Sequence, residues 1–438
     1  MQAYIRALEE VLQRIIERLD EHEKELREAK RQATPFRREK RNKDRKKPGR
    51  KGGHSTQRRA EPEHIDEELS APHPCTCPNC HGKRVREEGT YEQIQEDLEV
   101  RPVARRITIH FGVCQDCGAR VEGRHPYQTS TARGAAAHQV GPTALSLATQ
   151  LHYQQGVPFE KMAAILKELG LLVSKATLVR AMHRIAGRAE EPFRELLEQV
   201  LAEDVLHIDE TGWVLDGEPC YLWVLSGKNT TVYFVRKTRS GDEIADFLED
   251  FAGVFVTDGH AGYDKLGEKL LRALCHLHLL RNMKKLEAKT RGRAKALARD
   301  LIWWFQSAIA LVSQRDELRP ATFEELATDL ENQYYEILDI SPTDPANMRM
   351  VKRLLRWDEA VLRCLRDPQV PATNNHGERQ IRPAVVLRKR GGCNRSPRGA
   401  RTFERLSSIA ATRSQHGLPF MDWVNRLLRS PVSVPLLC

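Results

Sequence analysis

Two short apolar runs, each ending in an aspartate, constrain this chain more than any other feature of it. Val205-Leu-His-Ile-Asp209 and Gly253-Val-Phe-Val-Thr-Asp258 share one form. Both read as buried strands of a mixed sheet, with the acid at the carboxyl end, where open α/β sheets place their chemistry. Between them, residues 221–226 and 231–236 alternate as strands and residues 242–251 read as a helix.

Three strands, a helix and a further strand is the order of an RNase H-like core, a mixed sheet flanked by helices. A third acid, Glu378, stands near the start of a helix in Ala372-Thr-Asn-Asn-His-Gly-Glu378-Arg-Gln-Ile-Arg-Pro. Two carboxylates from strand ends and one from a helix can share a pair of divalent cations about 3.5–4 Å apart, the arrangement used to cleave polynucleotides. Magnesium suits such oxygen ligands, with manganese as a substitute. Each acid also has a structural reading. Asp209 and Asp258 could be turn residues that end strands, and Glu378 could be the N3 member of a capping box begun by Asn375. From Asp258 to Glu378 lie 120 positions, more than the core still needs, and residues 292–372 read as a helical insertion.

The formal net charge is +10, but it is concentrated. Residues 30–60 hold 14 Lys and Arg against 2 acids, a surplus of 12 that leaves the remainder near −2. A local cationic run of this kind reads as a polyanion-binding arm, with Arg50 and Lys51 in Pro48-Gly-Arg-Lys-Gly-Gly suited to a minor groove or, equally, to non-specific phosphate contacts. Ahead of it, residues 1–31 carry Ile5, Leu8, Leu12, Ile15, Leu19 and Leu26 at heptad spacing, a coiled-coil seam that would pair two copies of the chain; the alternative is an amphipathic helix packed on its own chain. No run approaches a membrane span and the start lacks a secretion-signal layout, so a cytoplasmic protein without a membrane partner is expected.

Five of the 10 cysteines stand at 75, 77, 80, 114 and 117. Cys77/Cys80 and Cys114/Cys117 at the ends of a β-hairpin, with strand patterns around Ile94, Leu98 and Val100 and through Ile107, Ile109 and Phe111, read as a zinc ribbon over residues 61–128, its four thiolates closing a structural site. Cys75 is surplus and could replace Cys77, and His81 and His110 are lesser substitutes. Over residues 138–198, Pro142 opens a helix, Pro158 a second, and Ser174 caps a third after a turn at Gly170. The second and third suit a helix-turn-helix that turns Lys175, Thr177, Arg180 and Arg184 to DNA; helix pairs of this size also occur without that role.

These features together resemble the bacterial transposases of the insertion sequence 66 type, within the DDE superfamily. The resemblance spans nearly the whole chain: the leading coiled coil, Gly-Arg-Lys-Gly-Gly-His at 49–54, the paired Cys-x-x-Cys, the helix-turn-helix, Asp-Glu-Thr-Gly-Trp at 209–213, Asp-Gly-His-Ala-Gly-Tyr at 258–263, and Asn-Asn-His-Gly-Glu-Arg-Gln-Ile-Arg-Pro at 374–383. It implies that Asp209, Asp258 and Glu378 are the catalytic, magnesium-holding acids, and that the fold is a multidomain α+β one. The expected order is a coiled coil at 1–31, a basic linker at 32–60, the ribbon, the helix-turn-helix, an RNase H-like core at 202–291 and 373–412 broken by the insertion, and a helical tail at 413–438. Cys275-His-Leu-His278 looks like the Cys-x-x-His of related transposases, whose histidine approaches the scissile phosphate; alternatively Cys275 is core and His278 a buried hydrogen-bonding residue. Arg379 and Arg382, three apart on one helix face, suit phosphate, and Arg388, Lys389 and Arg390 add cations to the same segment, although Arg388-Lys-Arg-Gly-Gly-Cys-Asn departs from the aromatic-bearing stretch expected there.

The resemblance further implies a DNA transposase acting on terminal inverted repeats and target DNA, as a homodimer or higher oligomer associated with the bacterial nucleoid, helped by companion proteins of its element. Two rivals stand beside it: a DNA-binding regulator whose acids are inert, and a nuclease of the same fold that cuts without joining. Trp303 and Trp304 read as core, with base stacking as the alternative.

Overall fold

The computed structural model describes residues 61–72, 74–86, 88–340 and 342–437. The coiled coil expected at 1–31 and the basic linker with Arg50 and Lys51 lie outside the described residues. The described residues fall into two compact units, one ending at Ala104 and the other beginning at Arg105.

In the smaller unit, residues 61–104 form no helix or strand. These residues include a knuckle in which His81 N–H donates to Cys77 O and Cys77 N–H to Gly82 O, both at 2.9 Å. The strand pairing expected around Ile94, Leu98 and Val100 is not formed. Those side chains are 53%, 86% and 59% exposed, and an alternating segment with no surface to bury one face against has no reason to stay extended and paired.

In the larger unit, β1 (Phe111–Val113) pairs antiparallel with β2 (Arg120–Glu122) around a second knuckle. There Gly118 N–H donates to Cys114 O and Cys114 N–H to Ala119 O, the same pattern as in the first. Each knuckle puts the residue after its second cysteine at positive φ, His81 at 57° and Gly118 at 71°. Glycine takes that conformation freely and histidine only under constraint.

Helices α1 (Pro142–Tyr153), α2 (Phe159–Glu168), α3 (Lys175–Arg188) and α4 (Glu190–Leu201) follow. Their starts match the sequence signals. Pro142 stands in the first turn of α1, Pro158 caps α2, Gly170 turns at φ 82°, and Ser174 Oγ accepts the Thr177 N–H at the start of α3.

The core is a five-stranded mixed sheet in the order β5-β4-β3-β6-β7. Its strands are β3 (Val205–Leu215), β4 (Glu218–Ser226), β5 (Thr231–Arg236), β6 (Val254–Thr257) and β7 (Leu271–Leu274). β3, β4 and β5 run antiparallel to their neighbours, while β6 and β7 extend the sheet in parallel from β3. That order and the flanking helices are those expected of an RNase H-like core. Leu222, Trp223, Val224 and Leu225 of β4 are all fully buried, so both faces of the central sheet are covered.

Two departures from the sequence reading concern the first acid and the helix after β5. The chain does not break at Asp209. β3 continues to Leu215, and the turn falls at Asp216-Gly217, both at positive φ, a pair suited to a tight hairpin. Helix α5 (Asp242–Ala245) is far shorter than the span 242–251. Helix α6 (Asp264–Gly267) leads into β7.

After α7 (His276–Lys289), the insertion comprises α8 (Gly292–Ser313), α9 (Pro320–Leu338), α10 (Pro345–Arg356) and α11 (Asp358–Arg366). Its apolar cluster is built on Trp304, Phe305 and Tyr334 and continues into Val254 and Val256 of β6. The two tryptophans separate: Trp304 is buried and donates to Leu330 O at 2.7 Å, whereas Trp303 is 53% exposed. Helices α12 (Asn375–Gly391), α13 (Pro397–Gln415) and α14 (Phe420–Arg429) close the fold. A single apolar cluster runs from Leu145 and Met182 of the leading helices through Trp223 of the sheet to Trp423 of α14.

Candidate active site

Strand register places the first two acids. His207 of β3 lies opposite Val256 of β6, and two residues further along each parallel strand stand Asp209 and Asp258. Adjacent strands are about 4.8 Å apart, so the two aspartates are side by side where β6 ends and β3 continues alone with β4. Asp258 is fixed by the His260 N–H on Oδ1 at 2.9 Å, and Asp209 by the Glu210 N–H on its own Oδ1 at 3.0 Å.

The third acid arrives on α12. Its N-terminus is pinned to β3 by Asn374, whose side chain donates to Ile208 O at 2.9 Å and whose Oδ1 meets His207 Nδ1 at 2.8 Å. The Asn374 N–H donates to Cys275 Sγ at 3.1 Å, and the Cys275 N–H to Thr257 O at 2.9 Å, which ties the same point to the end of β6. Gly377 permits the approach: a Cβ there would lie 3.0 Å from Asn374 Oδ1 and 3.2 Å from the His207 Cβ. The capping-box reading does not hold, because the cap residue is Asn374 and its side chain is spent on β3 instead of the helix. Cys275 is core, as its alternative reading had it. His278 is placed with the acids, its Nε2 3.8 Å from Glu378 Oε1 and 3.2 Å from an Arg281 nitrogen.

The acids feel one another. Asp209 is pushed up to about 7, first by burial, then by the charges of Glu210, Asp258 and Glu378, against the opposing Glu210 N–H. Glu378 Oε1 and His278 Nδ1 are buried without a hydrogen-bond partner. Among the described residues, however, no group of three or more His, Cys, Asp or Glu side chains is drawn together closely enough to hold a metal ion. The expectation of a ready-made trio is corrected to that extent. The carboxylates are neighbours, and their oxygens suit a hard divalent cation: Glu378 Oε1 is buried without a hydrogen-bond partner, and the proton affinity of Asp209 is raised first by burial and then by neighbouring negative charge.

Sequence reasoning missed Glu210 and Arg239. Glu210 is buried, with a side chain 1% exposed, and its two oxygens are held by Arg239 and by the Tyr263 hydroxyl. The same guanidinium reaches Asp258 Oδ2 at 3.7 Å. Arg239 is therefore a fixed cation between a structural acid and a candidate catalytic one. The acid after Asp209 in Asp-Glu-Thr-Gly was the available signal, since a strand that continues past Asp209 puts its next carboxylate into the sheet.

Of the other candidates, Lys175, Arg180 and Arg184 are exposed on α3, while Thr177 is occupied with Ser174 at the helix cap. Arg379, Arg382, Lys389 and Arg390 are exposed along α12. Arg388 instead turns inward, donating to Thr211 Oγ1 at 3.0 Å and to Gly212 O. Cys77 and Cys80 fall in the smaller unit and Cys114 and Cys117 in the larger. In each pair backbone N–H groups lower the first thiol, those of Cys80 and Asn79 at Cys77 and those of Cys117 and Asp116 at Cys114.

A mixed sheet in this strand order, carrying paired acids just beyond the parallel pairing of β3 with β6 and a third acid on a helix pinned to β3, is the arrangement of an enzyme that handles nucleic acid. Residues 137–402 match the family model of the IS66 transposases, and the chain belongs to that family. Two proteins of Sinorhizobium fredii are similar to it. The uncharacterized protein y4hP is 24% identical over 417 residues, covering 85% of this chain and 73% of that protein. The uncharacterized protein y4qI is 22% identical over 305 residues, covering 63% of this chain and 57% of that protein, so the alignment spans little more than half of y4qI's length.

Proposed function

We propose that the chain is a DDE transposase that cleaves DNA at the ends of its mobile element and joins them to target DNA. What supports this reading is that strand register sets Asp209 beside Asp258 and that the Asn374 clasp brings the start of the helix carrying Glu378 to the same strand. These three carboxylates would hold magnesium, two ions in all, with manganese as a substitute. The ions would supply activation of the attacking oxygen and charge neutralisation on the leaving one.

The chain's own groups position and shield the reaction. Burial of Asp209 keeps bulk water from competing for the ligand oxygens. His278, beside Glu378, lies where a proton or a phosphate oxygen could be met, and Arg379 and Arg382 are exposed one and four residues beyond the acid to receive flanking phosphates. In the first step water attacks the terminal phosphodiester, leaving a 5′ phosphate and a free 3′ hydroxyl. In the second that hydroxyl attacks a target phosphodiester and displaces a 3′ oxygen, so no covalent bond to the protein forms.

We further propose that α2 and α3 act as a helix-turn-helix, with Lys175, Arg180 and Arg184 along the duplex. Each knuckle would offer its two thiolates to a structural zinc; the backbone hydrogen bonds and lowered first thiol of each support that reading. Pairing of two chains on DNA completes the proposal.

A strand-transfer assay with magnesium, DNA carrying the element's ends and a target plasmid tests the core of it. Joined product from the wild type, and background product from Asp209→Asn and Glu378→Gln, is expected. Cleavage without joining would make the protein a nuclease, and binding alone, unchanged by Asp209→Asn, a regulator.

A further inference from the structure

Not all arginines near α3 are spent on the fold. Arg188, at the end of α3, donates to Leu428 O and Ser430 O and so fastens the helix to the C-terminal segment. Arg405 of α13 pairs with Glu190 at 2.9 Å. By contrast Arg180 and Arg184 of α3, Arg395 in the loop before α13, and Arg398 and Arg401 on its first turns are all exposed. Among the described residues none of these five has a side-chain hydrogen bond or an acid within ion-pair distance.

The two helices that carry them are locked together. His183 Nδ1 meets Thr402 Oγ1 at 2.7 Å, and Thr402 Oγ1 also bonds Arg398 O, one turn earlier, at 2.9 Å. The charges are close enough to act across the contact: burial first, and then the Arg398 guanidinium, hold His183 below its ordinary value. The loop before α13 is tied in turn to the far end of β3. The Asp216 N–H donates to Asn394 O, the Asn394 N–H to Val214 O, and Trp213 Nε1 to Asn394 Oδ1. From Leu215 back to Asp209 is six residues along one strand, about 20 Å at 3.3 Å each, or about six base pairs of duplex.

We propose that Arg395, Arg398 and Arg401 form, with Arg180 and Arg184, one cationic surface that binds the phosphate backbone of a DNA duplex, the loop that carries Arg395 being tied to the end of β3 about 20 Å along that strand from Asp209. The surface extends the DNA contact beyond α3, and the proposal rests on the reading that α3 lies along DNA. Holding five like charges on one surface with no acid in ion-pair distance is costly to a fold that is otherwise near charge balance, and a polyanion offsets that cost through counterion release.

The test is equilibrium binding of the full chain to a random-sequence duplex of about 20 base pairs in EDTA, followed by fluorescence anisotropy from about 50 to 250 mM salt. Each phosphate contact removed should lower the slope of log affinity against log salt by about 0.9. Arg398→Ala/Arg401→Ala should therefore lose nearly two units of slope and bind several-fold more weakly, and the corresponding Lys substitutions should retain the slope. Arg180→Ala/Arg184→Ala should give a similar loss. A wild-type slope for either pair, with an unchanged circular dichroism spectrum, overturns the shared surface. If the double variant does not fold, Arg398→Gln alone gives the same readout. A loss confined to phosphatidylglycerol vesicles, with duplex binding intact, also overturns it. Asp209→Asn, measured alongside, should keep the full slope, so failure of the catalytic reading leaves this measurement standing.

Discussion

At the scale of single residues, the site is an acid cluster under electrostatic tension. Asp209, pushed up to about 7, takes up a proton in the folded state that it would release in the unfolded chain. Its carboxylate therefore favours folding least where it is charged: the penalty is absent below its ordinary value of 3.8 and grows as pH rises toward about 7. Asp209→Asn should accordingly raise stability at pH 7 by about 1–2 kcal/mol in EDTA, read as a higher Tm. Added magnesium should then raise the Tm of the wild type but not of the variant; a larger rise in the variant would contradict the assignment of Asp209 as a ligand. Arg239 makes the complementary prediction. Its removal strands the buried Glu210, so Arg239→Ala should cost about 3 kcal/mol, while Arg239→Ala/Glu210→Gln should recover much of that. Urea unfolding of the set distinguishes an ion-pair role from simple loss of packing.

At the scale of elements, what matters is how a helix more than 150 residues downstream is brought to β3. Asn374 does it through His207 and Ile208, and Gly377 leaves room for it. Asn374→Ala strips a partner from a buried carbonyl and a buried imidazole and should cost about 2–3 kcal/mol. Gly377→Ala should have the opposite profile. The added methyl displaces α12 by a few tenths of an ångström, so strand transfer should fall far more than the urea midpoint; equal losses would refute a positioning role for this clasp. Element boundaries were legible where local chemistry decides them, as at Pro142, Pro158, Ser174 and Thr231–Arg236. They were not legible where pairing decides. Thr211-Gly-Trp looks like a turn in isolation and is held as strand by β4 across nine paired residues, and the run around Ile94 alternates like a strand but finds no partner.

At the scale of the molecule, one apolar cluster joins α1–α4 to the sheet and α14, and a second joins the insertion to β6 and β7. A histidine packs against each, His152 half-buried and His276 fully buried. His152 stacks on Phe159, and His276 bonds Val361 O at 2.8 Å; burial holds each down to about 4. Because the unfolded chain takes up these protons near 6.5, the stability the two contribute is full above that pH and is lost as pH falls through 6.5 toward 4. His276→Gln should flatten the acid limb of the stability curve, removing about 2–3 kcal/mol of its fall between pH 6.5 and 4; an unchanged limb would mean that His276 is solvated. The sequence by itself determined the local pieces: which runs are strands and helices, that the third acid rides a helix, that an insertion separates it from the second, and the family these motifs belong to. Hydrophobic periodicity, caps and motif spacing are written in neighbouring residues and need no fold to be read. Only the tertiary structure decided that Asp209 lies within a long strand and not at its end, that Asn374 and Gly377 deliver Glu378, that Arg239 stands between Glu210 and Asp258, and which arginines are left facing outward. Those facts depend on groups far apart in the chain becoming neighbours, and a linear pattern carries no distance between them.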